Sequence, residues 1–131
     1  MSELSNTPTI FIVEDDEDDR LLLSHELEKY GLENISHYFS SVDELVGACQ
    51  QYPIPSLILI NAFMNGMDIE NAIALIRSEK RLSPASIALM VAAKLEKDYL
   101  RSSHLNVIGY ITKPVNGKIL KRLVDTCRSG E

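Results

Sequence analysis

Glu14-Asp15-Asp16-Glu17-Asp18-Asp19 is an unbroken run of carboxylates, and it begins where an apolar stretch, Ile10 to Val13, stops. Crowded carboxylates repel. A set such as Glu14, Asp15 and Asp16 is relieved by a hard divalent cation, and Mg²⁺ suits it, binding one or two carboxylates and keeping its waters. The same run also reads as the acidic first turn of a helix, which the macrodipole favours. Two further polar residues close apolar stretches: Asn61 ends Leu57-Ile58-Leu59-Ile60, and Lys113 follows Val107 to Ile111 and precedes Pro114. An ammonium beside clustered acids either pairs with one of them, Asp15 being the expected partner, or holds an incoming anion. Asn61 is different in kind. A carboxylate in that place could act as a nucleophile. A carboxamide delocalises its nitrogen lone pair and leaves an oxygen of little nucleophilicity. It can still offer that oxygen to a metal, though with one negative charge fewer.

Little else carries chemistry. His25, His37 and His104 are scattered without metal-like spacing, and Cys49 and Cys127 read as reduced, small apolar residues. Gly-rich phosphate loops, a nucleophile elbow and a dinucleotide fingerprint are absent.

The elements that must position these residues alternate. Thr9 to Val13, Ile35 to Phe39, Leu57 to Ile60, Ile87 to Val91 and Val107 to Ile111 read as strands. Between them lie helical patterns. Leu21, Leu22, Leu23 and Leu27 form a stripe that Gly31 stops. Ser41-Val42-Asp43-Glu44 has the capping-box form and opens a helix through Leu45, Val46 and Cys49, which Pro53 and Pro55 end. Ile69, Ile73 and Ile76 share a face before Leu82-Ser83-Pro84. Lys94 to His104 is a polar helix, and Ile119, Leu120, Leu123 and Val124 mark the last one. Strand then helix recurs five times, and three strands are near-continuous apolar runs. That predicts an α/β, doubly wound, three-layer sandwich around a parallel sheet. The reactive crevice of such folds lies at the carboxyl ends of the central strands, so the residues ending them should meet.

With 131 residues the chain reads as one domain, 9–128, with tails at 1–8 and 129–131. Its net charge of −6 speaks against nucleic acid as a partner. No apolar stretch is long enough to span a membrane, and MSELSNTP lacks a signal-peptide pattern, so a cytoplasmic location is expected.

The order and spacing of Ile12-Val13-Glu14-Asp15-Asp16, Leu57 to Asn61 with Met64-Asn65-Gly66-Met67-Asp68, and Gly109-Tyr110-Ile111-Thr112-Lys113-Pro114 resemble the receiver domains of bacterial response regulators, the CheY-like family. The resemblance covers about residues 9 to 128. It implies a flavodoxin-like (βα)5 fold with a five-stranded sheet of order 2-1-3-4-5 and a role in two-component, phosphorelay signal transduction rather than catalysis. It also implies that Glu14 and Asp15 hold Mg²⁺, that Lys113 contacts a phosphoryl group and precedes a cis bond to Pro114, and that Tyr110 is an aromatic switch. The sequence departs from the family at the reactive parts. Asn61 stands at the phosphoacceptor Asp, and Val91 at the Thr or Ser whose hydroxyl bonds the phosphoryl oxygen. A single Asp-to-Asn exchange would account for Asn61 and leave Val91 unexplained. Asn65 and Ile69 replace the family's usual Pro and Gly, which affects loop shape more than chemistry.

Three functions remain open. The first is a stand-alone pseudo-receiver. It takes up no phosphate on Asn61 and acts by binding a histidine kinase, a phosphotransfer protein, another receiver or a second copy of itself. The face of the fourth helix, fifth strand and fifth helix, with Tyr99, Arg101 and Tyr110, is the expected surface. The second is an active receiver phosphorylated on Asp15, Asp16 or Asp68. The third is a ligand-binding flavodoxin-like domain.

Overall fold

Apolar β-branched runs interrupted by polar helices leave the chain one economical solution, a buried sheet with a helical layer on each face. The computed structural model describes residues 8–93 and 105–129. Its strands are β1 (Ile10–Val13), β2 (Ser36–Phe39), β3 (Leu57–Asn61), β4 (Ser86–Ala92) and β5 (Gly109–Lys113). Its α-helices are α1 (Glu17–Lys29), α2 (Val42–Ala48), α3 (Ile69–Ser78) and α4 (Gly117–Ser129), with single 3₁₀ turns at Glu33–Ile35 and Cys49–Gln51. All strand pairs are parallel and the order is β2-β1-β3-β4-β5. The expected order 2-1-3-4-5 and three-layer architecture are therefore observed.

Alternation along each strand divides the core. Phe11, Val13, Ile58, Ile60, Leu89 and Val91 point to one face, where Leu45 of α2 and Ile73 and Ile76 of α3 cover them. Ile10, Ile12, Leu57, Leu59, Ala88 and Met90 point to the other, against Leu23 and Leu27 of α1 and Leu120 and Val124 of α4. This is why β1, β3 and most of β4 read as unbroken apolar runs: each position is buried on one face or the other.

Helix ends follow local chemistry. Asp16 caps α1 by accepting from the Asp19 amide, Ser41 caps α2 through Glu44, and Asp68 caps α3 through Glu70 and Asn71. Glu44 reaches back to the Ser40 amide at 2.6 Å. Helix α1 ends in a Schellman turn. Gly31, at φ +73°, donates to the Glu28 carbonyl and Leu32 to that of Leu27.

Some expected boundaries shift. The fifth strand is Gly109–Lys113 rather than Val107 to Ile111, because it takes its register from β4, where Ala88 to Ala92 pair with Gly109 to Lys113. Ile108 lies before it, half exposed. Ile35 belongs to a 3₁₀ turn rather than to β2, and Cys49 to the turn after α2. Leu21 and Leu22 do not share the buried stripe of Leu23 and Leu27; both are 59% exposed. Residues 1–7, within the expected N-terminal tail, and the expected fourth helix, Lys94 to His104 with Tyr99 and Arg101, lie outside the described residues.

Candidate functional site

The crossovers bring the carboxyl ends of β1, β3 and β5 together at one end of the sheet. Glu14 follows β1 directly, and its amide donates to the Phe39 carbonyl at 3.0 Å, continuing the ladder by one bond. This draws its side chain inside, where the residue is 1% exposed. A buried carboxylate must be paired and hydrogen-bonded. Among the described residues three donors reach it. Oε1 accepts from the Lys113 ammonium at 2.8 Å. Oε2 accepts from the Asn61 amide nitrogen at 3.0 Å and from the Asp16 backbone N–H at 3.1 Å.

Asn61, the last residue of β3, is itself buried and hydrogen-bonded through both its nitrogen and its oxygen. Its carbonyl oxygen accepts from the Phe63 amide at 3.1 Å, which fixes the side-chain rotation so that the NH₂ group faces Glu14. Lys113, the last residue of β5, bonds Asp19 Oδ2 at 2.7 Å as well as Glu14. Burial alone would lower the lysine's affinity for its proton, but the hydrogen bonds to Asp19 and Glu14 outweigh it and the pKa is raised. Lys113 thus stays an ammonium, joined to residues 94 and 99 positions away in the chain. The Lys113-Pro114 bond is cis.

The geometry differs from the sequence reading in its pairing. Lys113 pairs with Glu14 and Asp19, not with Asp15. Asp15 is exposed and lines a separate cleft of about 320 Å³ with Ser41, Asn65 and Asp68. Its side chain leaves the site because residue 14 already turns inward. Asp19 was not singled out from the sequence. The signal available was the capped start at Asp16, which sets Asp19 in the first turn of α1. Arg20 was also missed. Its Nε donates to the Glu14 carbonyl at 2.7 Å, Nη2 donates to Ser40 Oγ at 3.0 Å, and the guanidinium lies over the Tyr38 ring at 5.7 Å. It anchors the β1–α1 junction to the end of β2.

Val91 is fully buried in β4, and Tyr110 of β5 is partly buried against the same core face. Glu14, Asp19, Leu22, Met90, Lys113 and Val115 line a cleft of about 700 Å³ between α1 and the β5–α4 connection. Among the described residues no three His, Cys, Asp or Glu side chains converge as a cation site.

A parallel sheet of this order, with an acid, an amide and a lysine at its strand ends and a second acid in the first turn of α1, is the framework of a phosphorelay receiver. A family model described as "Response regulator receiver domain" matches residues 10–125. The chain belongs to that family. Solved structures agree in fold. A two-component response regulator from Legionella pneumophila is 20% identical, with a TM-score of 0.79, over 94% of this chain and 99% of that one. The signal receiver domain of a histidine kinase from Syntrophus aciditrophicus is 25% identical, with a TM-score of 0.74, over 95% of this chain and 92% of that one. The receiver domain of a sensor histidine kinase from Pseudomonas aeruginosa, with magnesium coordinated in its active site cleft, is 18% identical, with a TM-score of 0.75, over 93% of this chain and 98% of that one. No curated protein sequence matches the chain. Receiver domains are regulatory modules rather than enzymes, and among the described residues no helix is long and apolar enough to cross a membrane.

The residues present do not fit a divalent cation as they are arranged in this receiver. A cation needs lone pairs, and the groups turned toward Glu14 are N–H donors from Lys113, Asn61 and Asp16. The Asn61 oxygen already accepts from Phe63.

Proposed function

We propose that this chain is a pseudo-receiver, a cytoplasmic signalling module that takes up no phosphate on Asn61 and works through protein contacts. The observation that carries this reading is the 3.0 Å hydrogen bond from the Asn61 amide nitrogen to Glu14. Where a receiver needs an attacking carboxylate oxygen, this pocket presents an N–H donor already committed to a buried acid. Val91 supports it, since its side chain has no hydroxyl to bond a phosphoryl oxygen. The other acids fare no better as acceptors. Asp16 and Asp68 cap helices, and the partners of Lys113 are Glu14 and Asp19, none of the three candidates. Mg²⁺ would have to displace Lys113 and turn Asn61 over, which makes any binding at Glu14, Asp15 and Asn61 weak.

Partners of the family's usual kinds, a histidine kinase, a phosphotransfer protein, another receiver or a second copy, would meet the face built on β5 and α4 together with the predicted fourth helix. Tyr110 on β5 and the half-exposed Ile108 and Ile119 supply contact surface there. The test is incubation with acetyl phosphate and Mg²⁺ followed by intact mass. An unchanged mass is expected, and a hydroxylamine-sensitive gain of one phosphate overturns the reading. Beryllofluoride with Mg²⁺, followed by NMR, should leave the Lys113 and Tyr110 amides unshifted.

A further inference from the structure

We infer that the Lys113 ammonium is the resident cation of this pocket, and that Lys113 and the Asn61 amide together make it independent of metal. The inference deepens the pseudo-receiver reading and rests on it. It concerns what the pocket holds, not only what it fails to do.

Two negative charges face the ammonium, Glu14 at 2.8 Å and Asp19 at 2.7 Å. Glu14 is 1% exposed on its side chain and Lys113 24%, so the central pair is largely withdrawn from water. A buried acid requires a positive partner, and here the partner is covalently part of the chain. Asn61 reinforces the arrangement by its orientation. With its oxygen held by Phe63, the amide nitrogen turns an N–H toward the acid and presents positive partial charge beside the Glu14 carboxylate. An ionised Asp in this place could not donate to Glu14 and would set a further negative charge beside it. The carboxamide is therefore a specific structural partner of Glu14, not a blank in place of a nucleophile. Asp15, the other acid expected at a metal, faces a different cleft, so Mg²⁺ would find no second ligand already in place.

The test is thermal unfolding of the full chain in EDTA and in 10 mM MgCl₂ at matched ionic strength, for the native protein, Asn61→Asp and Lys113→Ala. The native midpoint should move by less than about 1 °C. Asn61→Asp should melt lower in EDTA and regain about 5 °C in MgCl₂, the rise expected for a site of roughly millimolar affinity in a domain of this size. Lys113→Ala should also melt lower in EDTA. Should Asn61→Asp fail to fold, Asn61→Ser serves instead: it removes the amide without adding charge and should melt lower with no Mg²⁺ response. A native midpoint that climbs several degrees in MgCl₂ overturns the inference. So does an Asn61→Asp protein that folds but ignores Mg²⁺. Phosphorylation of the native chain would defeat the pseudo-receiver reading itself, and that outcome is read by mass rather than by melting.

Discussion

Replacing Lys113 by Met keeps the apolar stem and removes the charge. The Glu14 carboxylate would then keep two neutral donors, the Asn61 amide and the Asp16 N–H, and lose the one cationic partner it has among the described residues. Removing one member of a buried pair costs about 3–5 kcal/mol, because the remaining charge stays buried without compensation. Two features set the value at the low end. Lys113 is 24% exposed, so some water reaches the pair, and Asp19, at 38%, contributes on the scale of a surface bridge, about 0–1 kcal/mol. A loss of about 3 kcal/mol follows. It is a large share of the roughly 5–15 kcal/mol available to a domain and lowers the melting midpoint by roughly 10 °C. Urea unfolding followed by circular dichroism reads it directly, as a lower midpoint at an unchanged slope. The sign with pH is fixed as well. The pKa of Lys113 is raised in the folded chain, so its stabilisation is complete below the ordinary lysine value and is lost as pH rises through the raised one. The gap between native and variant should stay open to about pH 10 and close above it. A variant within about 1 kcal/mol of native at pH 7 would refute the reasoning, because Glu14 would then be satisfied by its neutral donors alone.

Three other outcomes follow from the same structure. A Cβ on Gly117 would lie 2.6 Å from the Tyr30 ring and 2.9 Å from the Glu26 carbonyl oxygen; the backbone atom cannot swing away, so Gly117→Ala should lose about 1–3 kcal/mol in urea. Asp68→Ala removes the acceptor for the Glu70 and Asn71 amides at the start of α3 and should cost about 1 kcal/mol by the same measurement. Burial lowers the pKa of His37, which packs against Phe11 and Tyr52, so the unfolded chain binds a proton that the folded ring resists. Stability should therefore decline as pH falls below about 6.5, and His37→Phe should flatten that limb of the profile.

Much of the fold was legible because a doubly covered parallel sheet leaves an unusual mark. Leu57 to Ile60 and Ile87 to Val91 could be read as strands because every one of those positions is buried. Asn61 and Lys113 could be assigned to one crevice by counting strand ends. What failed was information held in tertiary register. Three adjacent leucines do not reveal which of them faces the sheet, and only Leu23 does. The start of β5 depends on its pairing with β4, which the apolar character of Val107 and Ile108 obscured. The choice of Asp19 over Asp15 as a partner for Lys113 depends on Glu14 turning inward first. The direction of the Asn61 amide depends on a backbone N–H two residues ahead, at Phe63.

The bond between Glu14 and Lys113 spans 99 residues of chain. Such a link cannot close until β5 has docked, so loop-closure entropy places it late in assembly, after most of the sheet exists. An interaction missing from the folding barrier acts on escape from the native state rather than on arrival. Lys113→Met should accordingly leave the refolding limb of a chevron nearly untouched and steepen loss of structure by speeding the unfolding limb. By this logic the pocket is a latch, and its service to the molecule is measured in the lifetime of the folded chain.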